Sequence, residues 1–483
     1  VSAAAPAAPA LPSIFAGIRP RARWRELFLL IVVAVTLTTG SVSLNATLAA
    51  REAERGAGIP EGAFAPYAAT ILVIYLGGLL VAHIAQVLAG RRTDQVLLPA
   101  VGMLGGLSLL LMERLPQDLA GQFGGLAQTQ LVWLLLALTV VTVVAIVVRS
   151  DSWLRLYKYT WAAAGVGLLL LTFVFGREVN GARLTLDLGP ISGQPSELLK
   201  VILVVFLAGY LSENRPLLVE QSTRVGPIRL PPLPYLAPMV AMWAIALGVV
   251  VVQRDLGAAL LFFAVFLTLL YIATARWSYV LIGLALFVAG SWLMYQLFGH
   301  VRDRVDIWLD PFADPRGAGY QIVQALFALS RGGILGTGLG NGLPTVGGRL
   351  PIPEIHTDFP FAALGEELGL IGLLAILGLY LVVIERGLRI AASAADEFRG
   401  LLAAGLSLVV GVQAFIIAAG NLKIVPLTGI TLPFISYGGS SLLANALVVG
   451  LLLALSDRGV EPPPPPRPRR RFSPARLLDR GAP

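Results

Sequence analysis

Runs of about twenty apolar residues follow one another along most of this chain, separated by short polar connectors, and that spacing predicts a series of membrane-crossing α-helices. Backbone groups inside hydrocarbon must be satisfied within their own segment, so each run reads as a helix. The pattern places twelve helices at about 26–50, 66–90, 95–112, 130–148, 157–176, 196–212, 233–252, 256–274, 278–298, 359–385, 401–420 and 440–456. The sixth is short and polar at its start. Between the ninth and tenth the pattern stops, and residues 300–358 read as one long polar loop. There Pro311, Pro315, Pro351 and Pro353, with repeated glycines, are expected to break any regular element. The fold class is an all-α polytopic membrane protein of about 12 transmembrane helices.

Composition agrees: 56% of residues are hydrophobic and 13% charged, against roughly 25% charged in a soluble domain. The net charge of +8 fits loops that carry excess Arg and Lys on one side of a membrane. It does not fit nucleic acid, because no basic face interleaved with aromatics accompanies it. An even helix count puts both tails on one side. If that side is cytoplasmic, the inner segments hold Arg21, Arg25, Arg91, Arg92, Arg149, Arg215, Arg276, Arg386 and Arg389, as the positive-inside rule requires. The 300–358 loop is then extracytoplasmic, and its own arginines stand out as an exception that implies a task. The division is an N-terminal tail over 1–25, a membrane domain over 26–457, and a basic Pro-rich tail over 458–483 lying near anionic lipid. The first apolar run follows Arg19, Arg21, Arg23 and Arg25 and is longer than a cleaved h-region, so it reads as a retained signal anchor. The chain has no cysteine, which excludes disulfides and thiolate catalysis, and 3 histidines are too few for a typical zinc cage. No inverted pair of interrupted helices is visible, which weakens a transporter reading.

Four polar islands carry the candidate chemistry. In the first, Ser196 follows Pro195 and is expected to cap the sixth helix, while Glu197 and Lys200 share one helical face. That pair is either a structural ion pair or a functional one at a membrane edge. In the second, Asp255 is expected to cap the eighth helix and pair with Arg254. The third is the long loop, where Asp310 and Asp314 each precede proline and so read as turn residues. Asp314 has a sharper alternative: followed by Gly-Ala-Gly-Tyr and near several arginines in sequence, it suits a base that accepts a sugar hydroxyl's proton. Arginines there would grip a phosphate or pyrophosphate by forked hydrogen bonds. Gly336, Gly338 and Gly340 lack the strand-to-helix setting of a phosphate loop. The fourth island, Asn421 to Asn445, is broken by Pro426, Gly429, Pro433, Gly438 and Gly439, and Ser440 is expected to cap the last helix. Irregular backbone at membrane depth requires protein or a watery cavity around it, so the first, third and fourth islands are expected to line one cavity.

These islands are similar in order and spacing to those of the SEDS family, the RodA, FtsW and SpoVE proteins. The resemblance rests on NGA at Asn180 to Ala182, QPSE at Gln194 to Glu197 with Lys200, DLG at Asp255 to Gly257, DPRGAGYQIVQ from Asp314, SRGG from Ser330 and GTGLGN from Gly336. It continues with PEIHTDFPFAALGEELG from Pro353 and PLTGITLPFISYGGSS from Pro426, and covers roughly 130–457, with extra N-terminal helices over about 26–112. The family usually has Trp near Thr185, Pro at Arg254, and ten helices. The resemblance implies a peptidoglycan glycosyltransferase that polymerises lipid II at the outer face of the cytoplasmic membrane, with elongation and cell shape preferred over division. A lipid II flippase is the alternative, and a scaffold for a partner's chemistry a third reading. It further implies Asp314 as the catalytic residue. Substrate-binding candidates are Glu197, Lys200, Arg302, Arg304, Arg331, His356, Asp358, Glu366, Ser436 and Ser440. A class B penicillin-binding protein is the implied partner. A divalent cation, Mg or Mn, is implied, with no organic cofactor.

Overall fold

The computed structural model describes residues 20–54, 66–119, 123–179, 182–187, 192–220, 223–225, 228–230, 244, 248, 255–342 and 350–457. Among these, 11 helices are long and apolar enough to cross a membrane. In chain order the helices are α1 Trp24–Glu54, α2 Pro66–Ala89, α3 Leu97–Arg114, α4 Leu126–Val147, α5 Ser152–Leu156, α6 Lys158–Phe175, α7 Pro195–Glu220 and α8 Leu256–Thr274. They continue with α9 Trp277–Leu297, α10 Gly299–Leu309, α11 Tyr320–Gly332, α12 Pro360–Ala392, α13 Glu397–Asn421 and α14 Gly439–Ser456. The helix expected over 233–252 lies outside the described residues. The protein is an all-α, multi-pass membrane protein.

The core sits where α7, α13 and α14 pack on α4, α8 and α12. No hydrophobic force draws helices together in lipid, so close packing of small residues does that work. Gly439 at the start of α14 lies against the ring of Trp133, and Gly387 of α12 lies against Ser407 of α13. A side chain at either glycine would push the helices apart. By contrast α9 faces outward along its length, with Tyr279 its buried residue.

Three local expectations are corrected. The 300–358 stretch is not uniformly irregular: its prolines fall in two clusters, and the proline-free intervals form α10 and the amphipathic α11. The sixth predicted helix is longer than expected, since α7 runs through Pro216 to Glu220. Alternating apolar and polar residues at 182–187 form a strand, β2 (Ala182–Asp187), paired antiparallel with β1 (Arg177–Val179) and β3 (Ser192–Gly193). A second ribbon joins β4 (Thr223–Val225) to β5 (Ile228–Leu230).

The bundle has two distinct ends. Asn421, the last residue of α13, accepts from the Ala362 amide (3.1 Å) and donates to the Asp358 carbonyl (2.9 Å), binding the end of α13 to the start of α12. α10, α11 and the starts of α7, α8, α12 and α14 share this loop end. The starts of α1 and α3 and the ends of α2, α12 and α14 share the opposite, tail end.

Candidate active site

One turn into α7, Lys200 is enclosed, with 1% of its surface exposed. Its ammonium donates to Glu197 Oε2 at 2.6 Å, Gln413 Oε1 at 2.8 Å and Asn445 Oδ1 at 3.0 Å. An ammonium has three N–H donors, and all three are taken within the protein. Thr431 and Ser441 hydroxyls lie 2.5 Å apart and close the ring, with Thr431 also reaching Glu197 Oε1 at 3.4 Å. Beside this knot Asp255 caps α8, accepting from the Ala258 amide at 2.9 Å. Its other oxygen accepts from Gln194 (3.2 Å) and Ser196 (3.3 Å), so Ser196 serves Asp255 and does not cap α7. The expected partner Arg254 lies outside the described residues. A small crevice lined by Glu197, Lys200, Asp255 and Gln413 opens between them.

Asp314 sits on the exposed turn between α10 and α11. Its carboxylate accepts from the amides of Gly317 (3.0 Å) and Ala318 (2.9 Å), so the turn role expected of an Asp-Pro pair is real. The arginines near it in sequence are not near it in space: among the described residues no cation lies within ion-pair distance of it. Arg302 covers the ring of Tyr295, and Arg304 donates to the Thr428 carbonyl at 3.2 Å. Arg331 closes the far end of α11, eleven residues beyond Tyr320, or about 16 Å along the axis.

At that far end Arg331 meets Glu366 at 2.5 Å, and Arg114 of α3 lies 2.8 Å from Glu367 and 3.8 Å from Glu366. The amides of Gly340 (2.9 Å) and Gly342 (3.2 Å) donate to Glu367, folding the glycine-rich loop over the pair. Gly369, at φ +65° and ψ −170°, breaks α12 beside it. The amides of Leu370 and Ile371 there turn to the carbonyls of Gly333 (2.9 Å) and Ile334 (3.2 Å). Only glycine occupies that backbone region without strain.

The irregular 421–438 segment links the two sides. Ser436 donates to the Thr357 carbonyl at 2.6 Å and accepts from the Leu432 amide at 2.8 Å, while the Tyr437 amide reaches the His356 carbonyl at 2.8 Å. Asp358 is half-buried, and burial, with Glu354 adding to it, pushes its carboxyl up to about 6 against the pull of Thr357 and Arg304. Burial lowers the imidazole of His356, which Glu354 opposes. Ser440 does not cap α14: that helix begins one residue earlier, with Gly438 at its N-cap.

A profile of the cell cycle protein family of FtsW, RodA and SpoVE matches residues 94–459. The chain belongs to this FtsW/RodA/SpoVE family. It is 43% identical over 394 residues to the peptidoglycan glycosyltransferase RodA of Mycobacterium tuberculosis (strain ATCC 25618 / H37Rv), covering 80% of this chain and 83% of that one. It is 42% identical over 299 residues to the probable peptidoglycan glycosyltransferase FtsW of Nitrosococcus halophilus (strain Nc4), covering 60% and 72%. Among solved structures it is similar to a chain from work on coordination of polymerization and crosslinking by a peptidoglycan synthase complex (TM-score 0.60, 29% identity, 76% of this chain and 98% of that one). It is similar also to crystalline RodA of Thermus thermophilus (TM-score 0.52, 25% identity, 76% and 97%).

Every candidate residue named from sequence falls within the FtsW/RodA/SpoVE match, whereas α1 and α2 precede it. The structure gathers Glu197 and Lys200 at one site, Arg331 and Glu366 at another, and His356, Asp358 and Ser436 along the segment between. Asp314 and Arg302 stand apart from all three. Sequence reading missed Arg114 and Gln413, which complete the two ion clusters. The available signal was their polarity, a cation closing α3 and an amide inside an apolar run.

Proposed function

We infer that this FtsW/RodA/SpoVE member is a peptidoglycan glycosyltransferase that polymerises glycan strands from lipid II. The observation that carries the reading is the family match over residues 94–459, which encloses every polar cluster described above. Both chain ends are assigned to the cytoplasm, which sets the Asp314 turn on the outer face. There Asp314 takes the proton from the 4-hydroxyl of the acceptor's N-acetylglucosamine. The freed oxygen attacks the anomeric carbon of the donor's N-acetylmuramic acid, a β-1,4 bond forms, and undecaprenyl pyrophosphate leaves with the electron pair of the broken C–O bond. The Gly317 and Ala318 amides orient the carboxylate. Arg331, paired with Glu366 at the far end of α11, is too distant from the Asp314 turn to be assigned to the pyrophosphate in this step. The buried Glu197–Lys200 knot and Ser436 position backbone around the crevice.

A divalent cation is an expectation of the family resemblance. Among the described residues no group of three or more His, Asp or Glu is placed to hold one, and no step is assigned to it. A transpeptidase of the class B penicillin-binding type is the partner that would cross-link the product. Cell elongation is the preferred setting.

The test is purified protein with fluorescent lipid II in detergent. Glycan should lengthen without a sealed membrane, and Asp314→Asn, which keeps an amide-accepting oxygen but loses the base, should slow it by about 10²–10⁴-fold with unchanged thermal stability. Full activity in that variant would remove Asp314 from the chemistry. Activity seen only across a sealed bilayer would point to lipid II flipping instead.

A further inference from the structure

A large cavity among the described residues is at the tail end, remote from Asp314. It holds about 870 Å³, within the roughly 300–1,000 Å³ typical of small-molecule sites. Arg21, Arg25, Arg92, Arg386 and Arg389 line it, against a single lining carboxylate, Asp94. Asp94 lies 3.7 Å from Arg386, and Glu385 is paired with Arg386 and Arg389. Arg21, Arg25 and Arg92 have no side-chain ion pair among the described residues. Five guanidinium groups thus converge with far less than a balancing negative charge.

The cavity is built, not incidental. Buried Arg23 donates to the Thr93 hydroxyl at 2.6 Å and to the Asp94 carbonyl at 2.8 Å, and it is paired with Glu26, whose other oxygen meets His83 at 2.6 Å. This buried set fastens the start of α1 over the start of α3 and holds Arg21 and Arg25 on either side. Trp24 and Phe28 also line the cavity, and they are 74% and 65% exposed. With Ile31 and Val35 (54% and 61% exposed) they form a stripe at positions i, i+4, i+7 and i+11 of α1. An apolar stripe that begins inside a basic cavity at a membrane edge matches a lipid, with acyl chain on the stripe and phosphate among the arginines. The tail that follows Ser456 carries Arg458, Arg467, Arg469, Arg470, Arg471, Arg476 and Arg480 against Asp457, Glu461 and Asp479, so its own charge disfavours it as the occupant.

We propose that the arginine-lined cavity between α1, α3 and the end of α12 binds the phosphate headgroup of an anionic membrane phospholipid. The lipid holds the tail end of α1 in the bilayer. Full-length protein in dodecyl maltoside, titrated with phosphatidylglycerol or phosphatidylcholine and read by native mass spectrometry, tests this. Phosphatidylglycerol should be retained at least tenfold better, and 10 mM inorganic phosphate should not displace it. Each arginine near an anionic headgroup is worth roughly a fivefold change in affinity, so R25Q/R92Q/R389Q should lose about a hundredfold, whereas R149Q/R155Q, outside the cavity, should lose little. Equal retention of the two lipids, or equal loss in the two variants, overturns the proposal. Displacement by inorganic phosphate also overturns it, in favour of a soluble anion. Should the triple variant not fold, wild-type retention must still fall as salt rises, and salt-independent retention would overturn the site.

Discussion

Replacing Lys200 with methionine removes a buried ammonium while keeping the length of the side chain, and the geometry states what is left behind. Glu197 keeps a carboxylate with 10% of its side chain exposed and no cation, while Gln413 and Asn445 each lose a donor at 2.8 and 3.0 Å. Breaking a buried pair by removing one partner costs about 3–5 kcal/mol, because the surviving charge is uncompensated. Each acceptor left without a donor adds about 1–3 kcal/mol, although such costs overlap. K200M is therefore expected to lose at least about 3 kcal/mol. The double variant E197L/K200M removes both charges and should recover part of that loss, giving a coupling of roughly 1–3 kcal/mol. Unfolding in mixed micelles, titrated with dodecyl sulfate and followed by tryptophan fluorescence, measures the wild type, both single variants K200M and E197L, and the double variant. A wild-type midpoint for K200M, or a double variant that costs the sum of the singles, would refute the account of Lys200 as a closed structural knot.

Three further outcomes follow. Gly369→Ala places a methyl group on a backbone at φ +65° and against the Gly336 amide and Ile334 carbonyl, so it should cost about 2 kcal/mol or more; a thermal midpoint equal to wild type would show that α12 tolerates the change. Asp358 binds its proton more tightly folded (about 6) than unfolded (3.8), so the folded state carries the extra proton between those values and stability falls as pH rises through that window. Melting at pH 5 and 7 should differ by about 1 kcal/mol on account of this group, out of about 3 kcal/mol across the whole window, and Asp358→Asn should abolish that part; an identical pH response in the variant would sink the assignment. Arg51→Ala removes two donors, to the carbonyls of Asn341 (2.8 Å) and Gly342 (3.2 Å), for about 1–3 kcal/mol. Limited proteolysis should then cut the 336–342 turn faster, and unchanged cutting would show the contact to be idle.

The spanning helices were legible because apolar runs of membrane length have one solution: α8 occupies the predicted 256–274 residue for residue. The Glu197–Lys200 contact was legible too, since three residues on a helix make one face. What completes that pair was not, because Gln413 and Asn445 lie 213 and 245 positions away in sequence. Nothing local announces which of several polar side chains in apolar helices will meet. Reading 300–358 as one loop gave undue weight to prolines at its margins and too little to the helical spacing of α11. That helix is also why closeness of Asp314 and Arg331 in sequence does not become closeness in space.

α1 is fastened twice, by Arg23 beneath the membrane edge at one end and by Arg51 to the glycine-rich turn at the other. Thirty-one residues of helix reach about 46 Å, so the two clasps stand on opposite sides of the bilayer with a stiff rod between them. A helix outside the shared family region therefore acts as a strut: shifting its lower clasp must either drag the turn that covers Glu367 or snap Arg51 free. Trimming the chain back to the family boundary would leave the glycine-rich turn without its outermost brace.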